Sequence, residues 1–126
     1  MKKPTPKSLK KKAWKLVSEF VRRRSANWKG EVSCFTCGAI KNWKETHCGH
    51  WKHGKLDYDT RNLKPQCKKC NVYLHGNLDR YTLRLIEENN IEWIKRLEQD
   101  ANQVKKYTIK ELEEIIERYT KWLKAL

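Results

Sequence analysis

Five cysteines and four histidines are the most chemically versatile side chains of this 126-residue chain, and seven of the nine fall between Glu45 and Asn77. The cysteines give the sharpest signal. Cys34-x-x-Cys37 and Cys67-x-x-Cys70 are separated by 29 residues, and two such pairs supply the four soft thiolates of a tetrahedral zinc site. A zinc ion ringed by four thiolates keeps no open position for water or substrate. Its task is therefore structural: clipping a hairpin to a following short helix in a region with little core of its own. The competing reading of a CxxC is a redox pair. Cys48 has no such partner and reads as a small buried side chain.

The histidines sit among oxygen donors. Asn71 directly follows the last cysteine of the frame, and His75 lies four residues beyond it. If that segment is helical the two share a face and can reach one Mg²⁺ or Mn²⁺ ion. His50, on a facing strand, is a side chain whose unperturbed pKa lies near neutrality, where a general base works best. Asn62, in the loop between, is placed to hold the His50 imidazole by a hydrogen bond. His53, a histidine among lysines, reads as an exposed side chain or a phosphate contact.

The order His50 … Asn62-Leu-x-x-x-Cys67-x-x-Cys70-Asn71 … His75 resembles the HNH (ββα-metal, His-Me finger) nuclease motif in its zinc-knuckle form, similar to endonuclease VII-type resolvases. "KKAWKLVSEFVRRR", "CFTCG", "HCGHW", "TRNLKPQCKKCN" and "HGNLDRYTLRLIEE" resemble the phage NinG/Rap recombination nucleases over roughly residues 8 to 98. The resemblance implies a metal-dependent, structure-selective endonuclease for branched DNA such as Holliday junctions and D-loops, acting in the cytoplasm of a bacterial host. It departs from many HNH hairpins at one point. The acidic metal ligand that usually precedes the base is replaced by Gly49, and His47 is the first choice to stand in, with Asp59 or Asp57 behind it.

Charge supports a polyanionic partner. The formal net charge is +14, with +10 in residues 1–30, +4 in 31–77 and zero in 78–126. Clustered Lys and Arg bind nucleic acid through counterion release. Arg22, Arg23 and Arg24 on the first helix, with Lys52, Lys55, Arg61, Lys68 and Lys69 around the motif, are the expected phosphate contacts; a solvated helix face is the plainer reading of the first group. No apolar run is long enough to span a membrane, and "MKKPTPKSLKKKAW" lacks the apolar stretch of a signal peptide. In a cytosolic chain, paired cysteines read as metal ligands rather than disulfides.

Positioning these residues calls for a mainly helical α+β fold with a ββα-metal core and a four-cysteine zinc site. The expected organisation is a basic N-terminal arm and helix (1–30), a zinc-knuckle nuclease core (31–78) and C-terminal helices (79–126). Helical spacing predicts a first helix over 8–24 with Ser8 at its cap. A β-hairpin is expected within 32–56, and a short helix from the second cysteine pair to Gly76. Two further helices are separated by "ENN", where an asparagine would take a left-handed turn. Thr108 and Glu111 form a capping box for a last helix whose apolar stripe, Ile109 to Leu126, serves as core or as the contact of a homodimer suited to paired nicks. Two other readings remain: a non-catalytic zinc module that binds DNA, and a general or sequence-specific HNH nuclease.

Overall fold

The computed structural model describes residues 3–126. Helix α1 runs Pro6–Arg24 and begins earlier than expected, because the cap is Thr5. Thr5 accepts from the Ser8 backbone, and the Ser8 hydroxyl accepts from the Thr5 backbone, both at 3.1 Å. Ser8 is thus the return arm of a capping box, and Pro6 occupies the first turn, where no N–H is needed. Leu9, Ala13, Val17 and Val21 recur every fourth residue and are buried.

A hairpin forms at the start of the expected 32–56 segment, while the later piece, "HCGHW", pairs with a strand beyond it. Strands β1 (Glu31–Ser33) and β2 (Ile40–Asn42) pair antiparallel around the first cysteine pair. Strand β3 (His47–His50) pairs forward with β4 (Leu63–Gln66), setting His50 opposite Leu63 and Cys48 opposite Pro65. Proline hides β4 in the sequence. A two-stranded sheet tolerates it because every strand is an edge, and the Pro65 carbonyl still accepts from Phe35 N at 2.9 Å.

After β4 the chain makes a short π-helical turn, Lys69–Tyr73. His75 lies beyond its end with φ of 49°, so Asn71 and His75 do not share a helix face. The wide i→i+5 closure, Leu74 N to Lys69 O, leaves no continuing α-helical ladder to carry the expected spacing.

Helices α2 (Leu78–Glu88), α3 (Ile91–Ala101) and α4 (Ile109–Lys124) complete the chain. The break between α2 and α3 is made differently from the expectation. Asn90 is extended and caps α3 by accepting from Trp93 N at 2.9 Å; neither Asn89 nor Asn90 is left-handed. Thr108 and Glu111 cap α4 reciprocally.

Two cores result. α1 and α4 bury Ala13, Val17, Val21, Ile115 and Tyr119 together with Cys48 and Leu63 from the β3–β4 sheet. α2 and α3 bury Tyr81, Leu85, Ile94 and Leu97 around Phe35, Trp51 and Leu56. Each buried large aliphatic contributes about 1.5–3 kcal/mol, whereas an isolated two-stranded hairpin is marginal in water. The helical seams therefore carry the short strands. Most of the α4 stripe is committed within the chain, and Ile109, Trp122 and Leu126 are what remains exposed for any second copy.

Candidate metal centre and histidine cleft

The β1–β2 loop carries Cys34 and Cys37, while Cys67 directly follows β4 and Cys70 lies in the π-helical turn. The four Sγ atoms lie within 4.8 Å of one another, with Cys37 and Cys67 at 3.7 Å. A tetrahedron with metal–sulfur distances of about 2.3 Å has edges of about 3.8 Å, so the cluster could hold a zinc ion. The thiols themselves call for a cation. Cys34 is disfavoured as a thiolate by burial, but hydrogen bonds from Thr36 and nearby backbone outweigh that and bring it down to about 6. At Cys37 the Ala39 backbone favours the thiolate, yet burial and the neighbouring thiols push it up to about 12. Four adjacent thiolates ionise together only with an ion to share.

On the free side of β3, between α1 and the π-helical turn, lies a cleft of about 770 Å³. All four histidines, His47, His50, His53 and His75, line it together with Asn71. Asn71 Nδ2 is 3.1 Å from His47 Nδ1. The His50 ring stacks on Trp14 of α1, with centroids 4.4 Å apart and planes at 18°, and lies 4.6 Å from His53. Its Nε2 is buried without a hydrogen-bond partner, 3.5 Å from Asp57 Oδ1. Burial, then the nearby His53, hold His50 below its ordinary 6.5 against the opposing pull of Asp57. The balance favours the neutral ring. From the sequence Asp57 is only a reserve ligand and His53 an exposed side chain or phosphate contact, and neither is paired with the His50 ring. The bend at Gly54 brings them back, closed by Gly54 N donating to Asp57 Oδ1 at 2.8 Å.

Asn62 does not hold the His50 imidazole. It is fully buried, its Oδ1 accepts from Lys52 N at 2.9 Å, and its Nδ2 donates to Lys52 O at 2.7 Å and Leu56 O at 3.0 Å. Its side chain staples the loop between β3 and β4, because a buried amide finds its partners in the loop's own backbone. Gly49 also has a physical reason. A Cβ there would stand 1.8 Å from Gln66 Oε1, so the Gln66 side chain occupies the space an acidic ligand would need. Gln66 in turn donates to Thr36 Oγ1 at 3.1 Å and Gly76 O at 2.8 Å. Of the reserve ligands, Asp57 stands 3.5 Å from His50 Nε2, whereas Asp59 pairs with Arg61.

Comparison with known proteins gives the family of the chain. The family model described as "NinG: Bacteriophage Lambda NinG protein" matches residues 2–126. The chain belongs to the NinG family. Over 120 residues it is 30% identical to Protein ninG of Salmonella phage P22 and 29% identical to those of Escherichia phage lambda and Escherichia phage 933W, covering 92% of this chain in each case. It spans 56–57% of the length of those relatives. No solved structure matches the chain.

In this NinG-family chain the expected phosphate contacts divide. Lys55 is tied to Asp100 at 2.6 Å and to Gln103. Arg61 is tied to Asp59 and Asp100. Both are held by α3 or by their own loop, and their charges are locally neutralised. Arg22 lines the cleft but also braces α1 to the segment before β3, donating to Trp43 O at 3.1 Å. Arg23 pairs with Glu19, and Arg24 lies over Phe20. Lys52 covers Trp51, while Lys68 and Lys69 are exposed beside the cysteine cluster. The sequence reading passed over Lys11, Lys12 and Lys15. They border a shallow groove that shares Trp14, Ser18 and Arg22 with the cleft, and their spacing along α1 was the available signal. Among the described residues, no helix is long and apolar enough to cross a membrane.

Proposed function

We propose that the protein is a metal-dependent endonuclease acting on branched DNA, with His50 as the general base. One observation supports it above the others: His50 and Asn71, from a strand and the turn after the cysteine frame, line the same cleft, with His47 already in contact with Asn71. These two residues stand in the order of the HNH-like motif, whose Asn62 instead bonds to the loop backbone.

His50 accepts a proton from the attacking water, as a ring that burial keeps neutral. Trp14 fixes the plane of that ring by stacking. Asn71 and His47, with His75 at the cleft wall, are the donors for a hard divalent ion, which when bound supplies positive charge against the phosphate oxygens. With glycine where an acidic ligand usually stands, the donor set is richer in nitrogen than Mg²⁺ prefers, so it suits Mn²⁺ better. Lys11, Lys12 and Lys15 neutralise a DNA strand leading into the cleft. Such backbone contacts carry no base code, which suits recognition of branch shape.

The test is cleavage of linear duplex, fork and four-way junction DNA with Mn²⁺, Mg²⁺ or EDTA, beside His50→Ala. Expected are metal-dependent cuts in the branched substrates, paired nicks in the four-way junction by a dimer, and a loss on the order of 100-fold or more in His50→Ala. Binding without cleavage under every metal would make the protein a zinc-stabilised DNA-binding module. Equal cutting of linear duplex would make it a general nuclease. A 15.2 kDa monomer that nicks once would remove the paired-nick reading.

A further inference from the structure

The HNH reading uses one nitrogen of His50 and gives His53 no task, yet these two rings and Asp57 form a second cluster of metal-binding groups. We infer that His50, His53 and Asp57 form a second transition-metal site, selective for Zn²⁺ or Co²⁺, separate from the four-cysteine frame and from the Asn71–His47 pair.

The geometry supports it in three ways. One ligand atom from each of the three side chains lies within 4.8 Å of the others. The 3.5 Å between His50 Nε2 and Asp57 Oδ1 is close to the edge of a tetrahedron whose metal–ligand distances are about 2.1 Å, roughly 3.4 Å. Nε2 itself is a buried nitrogen with no hydrogen-bond partner, and a buried polar atom left unpaired calls for an explanation. The loop is also preset. Gly54 N fixes the Asp57 carboxylate at 2.8 Å, an outer-shell hydrogen bond of the kind that orients metal-binding carboxylates. Two imidazoles and one carboxylate suit Zn²⁺ and Co²⁺, with a fourth position left for water, whereas Mg²⁺ favours oxygen ligands.

The consequence for activity rests on the proposed role of His50 as base. A Zn²⁺ ion on Nε2 takes the lone pair that would accept a proton. Zinc beyond the structural equivalent then switches cutting off while Mn²⁺ supports it.

Protein carrying one equivalent of zinc is titrated with Co²⁺ and followed by absorption and elemental analysis. The expected result is one further equivalent whose d–d bands appear without thiolate charge transfer. Its affinity should fall by about 100-fold or more in His53→Ala and in Asp57→Asn, since losing even an outer-shell partner costs roughly 10–100-fold. His53 is exposed, so His53→Ala should keep its first zinc and its melting temperature. A wild-type protein that takes no second equivalent overturns the site, as does a second equivalent of unchanged affinity in either variant. Where cleavage is found, excess Zn²⁺ should suppress it in the wild type and spare His53→Ala, and equal suppression of both overturns the switch. If no substrate is ever cut, the nuclease reading fails while the Co²⁺ titration still decides the metal site.

Discussion

The cysteine corner and the histidine cleft lie at either end of one chain of contacts, yet they are built on opposite principles. The corner is a closed set of four like ligands, and its thiols need a shared cation before they can ionise together. The cleft is an open and mixed set, an amide and four imidazoles, with the Asp57 carboxylate 3.5 Å from His50 Nε2 and that buried nitrogen without a hydrogen-bond partner. Completeness makes a site structural, because nothing is left to exchange. Incompleteness leaves room for water, phosphate or a second ion. The two are joined by Thr36, which lies 3.4 Å from Cys34 Sγ and accepts from Gln66. Gln66 reaches on to the Gly76 carbonyl at the cleft.

If the corner holds shape for both, breaking it should have the largest effect of all. Cys70 is fully buried, and Cys70→Ser is expected to lose the zinc and unfold residues 31–77. Structural zinc contributes about 10–16 kcal/mol in small domains, as large as a domain's whole usual net stability of about 5–15 kcal/mol. Elemental analysis and a thermal melt check this, and a chelator should act on the wild type in the same way. A variant that keeps its melting temperature without zinc would show that the helical seams alone carry the fold.

A smaller break targets the link between the regions. Gly49→Ala places a methyl where Gln66 Oε1 now lies and is expected to cost about 1–3 kcal/mol by overpacking. In a Gln66→Ala background the same change should cost less, so the double mutant should be more stable than the sum of the singles. Additive costs would mean that Gln66 moves aside freely and does not couple corner to cleft. The effect should appear in a denaturant melt while zinc stays bound.

The same contrast explains what the sequence made legible. The corner is written in local spacing: two CxxC pairs have one simple geometric solution, and it could be read directly. So could α1, α4 and the α4 capping box, whose residues interact with near neighbours. The cleft depends on where loops turn. The grouping of His53 and Asp57 with His50 hangs on the bend at Gly54, and the stacking of Trp14 on His50 joins residues 36 positions apart, neither with a periodic trace. β4 was hidden by Pro65. Asn62 sits in the position expected from the motif, but its side chain bonds to the loop backbone, because burial forces an amide to satisfy both ends. Lys55 and Arg61 were counted as free charges, since their partner Asp100 lies far along the chain.

The smallest expected effect tests whether the cleft's cluster is wired as its geometry indicates. Burial and then His53 hold His50 below 6.5, and Asp57 pulls it upward. A general base works when neutral, so on the proposed reading the acid limb of the Mn²⁺-supported cleavage profile has its midpoint below 6.5, with more than half of the activity retained at that pH. Replacing His53 with Ala removes a nearby positive charge from the protonated state and should move the limb upward. Asp57→Asn removes the negative charge that stabilises the imidazolium and should move it downward. Measured at fixed Mn²⁺ with zinc held to one equivalent, the two shifts must have opposite signs. A common direction would mean that both variants act by opening the cleft to water, and the base would then owe its neutrality to burial rather than to its two neighbours.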